Sequence, residues 1–169
     1  PLLLPQLHYS RNSIRHMRAL LLVFVASFFL VACSAITIDE ETVFQPKASV
    51  TPQTFALDGV RLEVRSVPVT DSVDVNAWHL TQPEADATVL FFGGNGFYLV
   101  QSTGYLQALT RPPANALLWD YRGYGRSDGS PSASAVRDDA VAVYDSLVAR
   151  PDVSPDRVVV WGHSMGTFL

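Results

Sequence analysis

Three short apolar runs, each with glycine at or soon after its end, constrain this chain more than any other feature. They are Thr88-Val89-Leu90-Phe91-Phe92 before Gly93, Ala116-Leu117-Leu118-Trp119 ahead of Gly123, and Val158-Val159-Val160-Trp161 before Gly162. Unbroken apolar runs of this length are expected of strands buried on both faces, the condition of parallel sheets. Between them lie two stretches of helical periodicity, about residues 98–109 and 134–150. The second puts Val136, Ala140, Val143 and Leu147 on one face, sets Asp138, Asp139 and Asp145 largely elsewhere, and stops at Pro151. Alternation of strand and helix predicts an α/β fold with right-handed crossovers. Ahead of this pattern, Val60 to Val69 and Asp74 to Leu80 alternate apolar and polar residues. The turn signals Asp58-Gly59 and Thr70-Asp71-Ser72 precede and separate them, which predicts an antiparallel pair at a sheet edge.

Charge narrows the function classes. Arg11, Arg15 and Arg18 precede the first long apolar stretch, whereas every Asp and Glu lies from Asp39 onward, so the body is acidic. It carries no basic stripe interleaved with aromatics, which argues against nucleic acid as a partner. A lone cysteine, Cys33, excludes an internal disulfide framework, and the four histidines are scattered. Neither a metal site nor a cofactor is expected.

The first segment reads as an address. From Met17 a positive start leads into the apolar stretch Ala19 to Val31 and then Ala32-Cys33-Ser34, the order of a secretory signal with a small-residue cleavage site. The apolar core is shorter than the roughly 20 residues that span a bilayer, and a retained anchor is the alternative. Leu30-Val31-Ala32-Cys33 resembles the lipobox of bacterial lipoproteins. That resemblance implies lipidation of Cys33 and a membrane-anchored protein of the bacterial cell envelope, with Ser34 pointing to the outer membrane; otherwise Cys33 is only a small apolar residue ending a leader. Residues 1–16 lie upstream of the plausible initiator Met17. The expected organisation is thus an upstream segment 1–16, a signal peptide 17–32, an anchor and polar tether 33–56 interrupted by Pro46 and Pro52, and a folded body 57–169.

Gly162-His163-Ser164-Met165-Gly166 follows the last buried run directly and matches the G-x-S-x-G pattern of a nucleophile elbow. A strand-to-helix turn this sharp strains the serine backbone, and side chains two residues to either side would collide with neighbouring elements. The serine oxygen would stand at the C-terminal edge of the sheet, where open α/β folds bind ligands.

Together with Phe92-Gly93-Gly94-Asn95-Gly96 and Asp120-Tyr121-Arg122-Gly123-Tyr124-Gly125-Arg126-Ser127, the elbow resembles the α/β-hydrolase superfamily over roughly residues 57–169. The nearest branch comprises acyl-ester, thioester and acylglycerol hydrolases with a His-Gly-Asn-Gly or His-Gly-Asn-Ala loop. The resemblance implies a mostly parallel sheet with an antiparallel edge and Ser164 as nucleophile. It also implies that the Asn95 and Met165 backbone amides hold the oxyanion of an acyl-transfer intermediate. A small acyl substrate is the expected partner. The family's loop histidine is replaced by Gly93, which implies a looser or differently braced oxyanion hole. Asp120 and Arg122 read as structural, satisfying loop backbone or each other. His163, next to the serine along a sharp turn, is rejected as general base, and His79 is assigned to an edge strand without a catalytic role.

In the family the catalytic acid and histidine follow the elbow at a distance, and only five residues follow Ser164. The sequence therefore predicts a fold truncated after the elbow and inactive alone, with an exposed apolar edge. A non-catalytic envelope-anchored binding protein on the same scaffold is the alternative.

Overall fold

The structure, a computed structural model, describes residues 11–32, 39–46, 57–110 and 113–169. Cys33 and Ser34 lie outside the described residues, whereas Leu30, Val31 and Ala32 of the lipobox close the first helix. The chain divides into two compact units, Pro1–Ile38 and Asp39–Leu169. The first contains helix α1 (Arg11–Ala32), which runs through Met17 without a break and spans the whole of the predicted signal peptide. Within it the Ser27 hydroxyl donates to the Val23 carbonyl at 2.7 Å. No helix among the described residues is long and apolar enough to cross a membrane.

The second unit is a five-stranded mixed sheet. Its strands are β1 (Arg61–Thr70), β2 (Val73–Thr81), β3 (Ala87–Phe92), β4 (Ala114–Trp119) and β5 (Val158–Gly162). Their spatial order is β1-β2-β4-β3-β5. The first two pair antiparallel and β2 pairs antiparallel with β4, whereas β3 lies parallel to both β4 and β5. The antiparallel edge and the parallel core are those the alternating and continuous apolar patterns predict. Helix α2 (Glu40–Val43) precedes the sheet, and α3 (Thr103–Leu109) and α4 (Ala133–Val148) are the crossovers of the parallel strands. The Ser132 side chain caps α4 by accepting from the Ala135 amide at 3.2 Å. The first predicted helical stretch divides into a 3-10 turn, Leu99–Gln101, and the short α3.

Each sheet face buries its own apolar cluster. One unites Val75, Leu90, Leu117 and Trp119 with Val136, Val143 and Leu147 of α4; the other unites Leu80, Phe91 and Leu118 with Leu99, Leu106 and Leu109. The predicted apolar stripe of α4 is thus the one buried.

Three expectations are corrected. Asp139, placed away from the buried face by its polarity, is fully buried, because both its oxygens accept from Arg122, at 2.6 Å from the guanidinium Nε. Arg122 accordingly pairs with Asp139 and not with Asp120. His79 sits not on an edge strand but on β2, between β1 and β4, where it is fully buried. Neither of its ring nitrogens has a hydrogen-bond partner among the described residues, and the nearest Glu63 oxygen is 4.0 Å from Nδ1.

That burial has a pH consequence. Burial, followed by repulsion from Arg150, lowers the His79 pKa below its ordinary 6.5, and attraction from Asp152 and Glu63 offsets this only in part. A histidine with a depressed folded pKa binds its proton first in the unfolded chain. Stability is therefore retained above about pH 6.5 and is lost as pH falls below it toward the folded value. Thermal melts of the whole protein between pH 7.5 and 5 should show Tm falling through this window. The slope should flatten in His79→Leu; an unchanged slope would remove His79 as the cause.

β5 forms one side of the sheet, and Val159, Val160 and Trp161 are all at least half exposed. An unpaired apolar edge of this kind templates association. Residues 34–169 expressed alone should aggregate or be degraded, and a soluble, monomeric, cooperatively melting preparation would contradict this.

Candidate active site

The elbow is built by the end of β5 meeting the end of β3. The His163 amide donates to the Phe92 carbonyl at 2.9 Å, after which the chain reverses into a 3-10 turn, Ser164–Phe168. The predicted elbow helix is thus a tighter 3-10 turn over these residues. Ser164 takes a φ of +51°, a left-handed conformation that a non-glycine residue adopts only where its surroundings impose it. The flanking glycines show what imposes it. A Cβ on Gly166 would come closer than 3.0 Å to the Phe92 carbonyl and Cβ, and one on Gly162 equally close to the Gly166 carbonyl. Only hydrogen fits at either place, as the sequence argument expects. Ser164 itself is exposed.

The Gly93–Gly96 loop stands directly across from the serine. A Cβ built on Gly94 would lie 3.3 Å from the Ser164 Cβ and 3.1 Å from His163 Nδ1. Gly94, Asn95, Gly96, Phe97, Ser102, Tyr105, His163 and Ser164 line one cleft of about 360 Å³. No acceptor among the described residues takes the backbone N–H of Asn95 or of Met165, so both remain available as donors. Met165 is half-buried and packs against the α4-side cluster.

The departure at Gly93 has a physical account. A Cβ there would overlap the Phe97 ring, so the space a side chain would use is already occupied. The loop is braced instead from below: the Tyr121 hydroxyl donates to the Gly93 carbonyl at 2.6 Å. Burial raises the Tyr121 pKa, which keeps that hydroxyl protonated and donating. A turn closed by the Phe97 amide donating to Gly94 O, at 3.0 Å, sets the other side of the loop. The loop is differently braced rather than looser.

Asp120 is buried and structural, as expected. Its carboxylate accepts from the Leu99 amide at 2.8 Å and the Asn76 side chain at 2.9 Å, and more distantly from the Arg126 amide, tying the segment after β4 to the start of the α3 region. Burial pushes its carboxyl up, and the same three donors pull it back.

His163 is exposed, lines the same cleft as Ser164 and lies 5.5 Å, ring to ring, from Tyr105. It does not point away from the site, contrary to the expectation from its place in the turn, but no hydrogen bond joins it to the serine hydroxyl. Among the described residues no group of histidine, cysteine and carboxylate side chains could hold a metal ion.

Sequence reasoning missed one participant. The polar segment expected to be a free tether is folded over residues 39–46: Phe44 is buried in the α4-side cluster, and the backbone of Val43 and Gln45 bonds the Asn95 side chain. A single aromatic in a polar stretch was the only signal.

Comparison with known proteins agrees with this geometry. The pattern of the family described as serine aminopeptidase, S33, matches residues 83–169. The uncharacterized protein YfhR of Salmonella typhimurium is 30% identical over 95% of this chain and 53% of its own length. Protein bem46 of Schizosaccharomyces pombe is 32% identical over 69% of this chain and 39% of its own length. The chain therefore spans about half or less of the curated relatives it matches. Among solved structures, the Pyrococcus furiosus esterase Pf2001 superposes with a TM-score of 0.60 at 20% identity, covering 73% of this chain and 48% of that one. Acetyl xylan esterase 1 from Thermoanaerobacterium gives 0.52 at 16% identity, over 72% and 46%. A glycine-flanked serine at positive φ, at the C-terminal end of the parallel strands of a mixed sheet, accords with the family match over residues 83–169: this chain belongs to the α/β-hydrolase superfamily, in the family described as serine aminopeptidase, S33.

Proposed function

We propose that the whole protein is a serine hydrolase that cleaves an acyl ester, thioester or amide through an acyl-enzyme on Ser164. The observation that carries this is the exposed Ser164 at φ +51°, set against a loop whose Asn95 amide has no acceptor among the described residues. The Ser164 oxygen attacks the carbonyl carbon and its proton passes to a base. The carbonyl oxygen takes the negative charge and receives hydrogen bonds from the Asn95 and Met165 amides. Collapse expels the alcohol, thiol or amine, and water then releases the acid and frees the serine. On this reading the base and its carboxylate partner come from parts of the whole protein that follow the elbow, in the order serine, acid, histidine. Names of the relatives bear on the substrate only broadly: the structural neighbours include esterases, while the family description is of an aminopeptidase. The leader adds a place to this reading, the bacterial cell envelope, with Cys33 lipidated and the hydrolase body held at a membrane.

The alternative of a binding module exists because a fold does not fix a function, and the missing loop histidine gives it some weight. With Phe97 filling that space and Tyr121 bracing the loop, that departure no longer favours it. Rapid mixing of the whole protein with p-nitrophenyl acyl esters is the test. A burst of nitrophenol stoichiometric with protein, followed by slower turnover, is the expected record. A folded protein that gives neither burst nor turnover on esters, thioesters or aminoacyl anilides would overturn the proposal.

A further inference from the structure

The segment just after the leader unit does not simply lead into the sheet. It forms a strap from the start of α4 to the oxyanion loop. At one end the Ala133 amide donates to Glu40 Oε1 at 3.0 Å. In the middle Phe44 is buried among the apolar side chains on the α4 side of the sheet. At the other end the strap meets Asn95 on both faces of its side-chain amide: Nδ2 donates to the Val43 carbonyl, and Oδ1 accepts from the Gln45 amide at 3.3 Å. Two tyrosines complete the joint. The Tyr124 hydroxyl accepts from the Gln45 amide at 3.0 Å and donates to Asn95 Oδ1 at 2.5 Å, and the Tyr98 hydroxyl donates to the Gln45 carbonyl at 3.0 Å. Burial pushes the Tyr124 pKa up to about 12, so its proton stays in place at any working pH.

We propose that the strap Glu40–Gln45 positions the oxyanion loop by gripping the Asn95 side chain, so that the Asn95 backbone amide stays aimed at the reacting carbonyl oxygen. The inference rests on the hydrolase reading above. Its physical basis is the sequence around Asn95: Gly94 and Gly96 flank it, and two glycines leave the intervening peptide free to rotate unless something outside the loop fixes it. Tyr121 fixes the Gly93 carbonyl, and the Phe97 amide closes the turn onto the Gly94 carbonyl without bonding the Asn95 peptide itself. The Asn95 side chain is the remaining handle, and its hydrogen bonds run to the strap and to Tyr124. Asn95 therefore has two parts with separate duties, a backbone amide that meets the substrate and a side chain that positions that amide. An amide held in place for the transition state alone affects kcat far more than KM.

The test uses the whole protein with Asn95→Ala, which leaves the backbone donor but removes the grip, and Tyr124→Phe, which deletes one hydroxyl and keeps the ring. Two readouts are taken: kcat and KM on an activated ester, and hydrogen–deuterium exchange of the peptide covering 93–97. Asn95→Ala is expected to lower kcat by about 10- to 100-fold with KM within about twofold, the cost of a misplaced catalytic group. Exchange across 93–97 should speed up, and Tyr124→Phe should move both readouts in the same direction by less. A role confined to stability would lower Tm without dividing kcat from KM. Unchanged exchange in both variants, or faster exchange with kcat unaltered in an active protein, overturns the inference alone. A folded wild type that neither turns over nor reacts at Ser164 overturns the hydrolase reading and the inference together.

Discussion

Ser164→Ala is expected to lower kcat of the whole protein by about 10⁴-fold or more while leaving its melting temperature within a degree or two of wild type. The size follows from the role proposed for Ser164: without the attacking oxygen no acyl-enzyme would form, and what would survive is the modest assistance of the oxyanion donors and of binding. The unaltered stability follows from the structure. Ser164 is exposed, so its hydroxyl contributes no buried packing, and alanine meets the same backbone strain at φ +51°. Ser164→Gly sharpens the test. Glycine occupies the left-handed region without the Cβ penalty, so this variant should be as inactive as alanine yet more stable by about 1 kcal/mol. A nucleophile whose removal stabilises the protein is the signature of strain stored for function. Equal stability of the glycine and alanine variants would say that the elbow is not strained.

Gly166→Ala should harm both properties at once. Its Cβ would approach the Phe92 carbonyl, carbonyl carbon and Cβ closer than 3.0 Å. Phe92 cannot yield easily, because it ends β3, which is hydrogen-bonded on both sides, to β4 and to β5. The elbow must open instead, carrying Ser164 away from the Gly94 loop. Overpacking against a fixed backbone costs about 1–3 kcal/mol, and a displacement near 1 Å at the reacting atom costs about 10²-fold in rate. Gly104 in α3 provides the control, since nothing lies within 4 Å of a Cβ added there. Gly104→Ala should leave stability equal or slightly improved. Differential scanning of the two variants, with kcat on the same ester, separates a steric effect at the elbow from a general intolerance of glycine replacement.

The elements carrying the elbow were legible in the sequence because each rests on a local physical signal. Continuous apolar runs marked β3, β4 and β5, alternation marked β1 and β2, and the collision argument for Gly162 and Gly166 is met by the Gly166 carbonyl and by Phe92. What escaped depended on contacts between residues distant along the chain. Asp139 read as outward because a carboxylate is rarely buried unless paired, and its partner Arg122 lies 17 positions away. His79 read as an edge residue because nothing in two alternating strands says that a third, β4, will pair beside them. The strap read as a tether because its grip on Asn95 runs through backbone groups of Val43 and Gln45, which no side-chain pattern reports. The bracing of the Gly93 loop by Phe97 and Tyr121 was hidden for the same reason: the replacement of one side chain was visible, and the ring that fills its space was not.

These features describe one arrangement in which rigid parts surround a strained serine. The α4-side and α3-side clusters hold the sheet, the sheet holds Phe92, and Phe92 with two glycines holds the exposed Ser164 in its left-handed conformation across from the Gly94 loop. The most direct measurement is covalent. The whole protein is treated with a fluorophosphonate, and the modified peptide is located by mass spectrometry. One adduct per chain, on Ser164 and absent from Ser164→Ala, is the expected result. A folded protein that stays unmodified, or that carries the adduct on another residue, would contradict the assignment of Ser164 as the nucleophile.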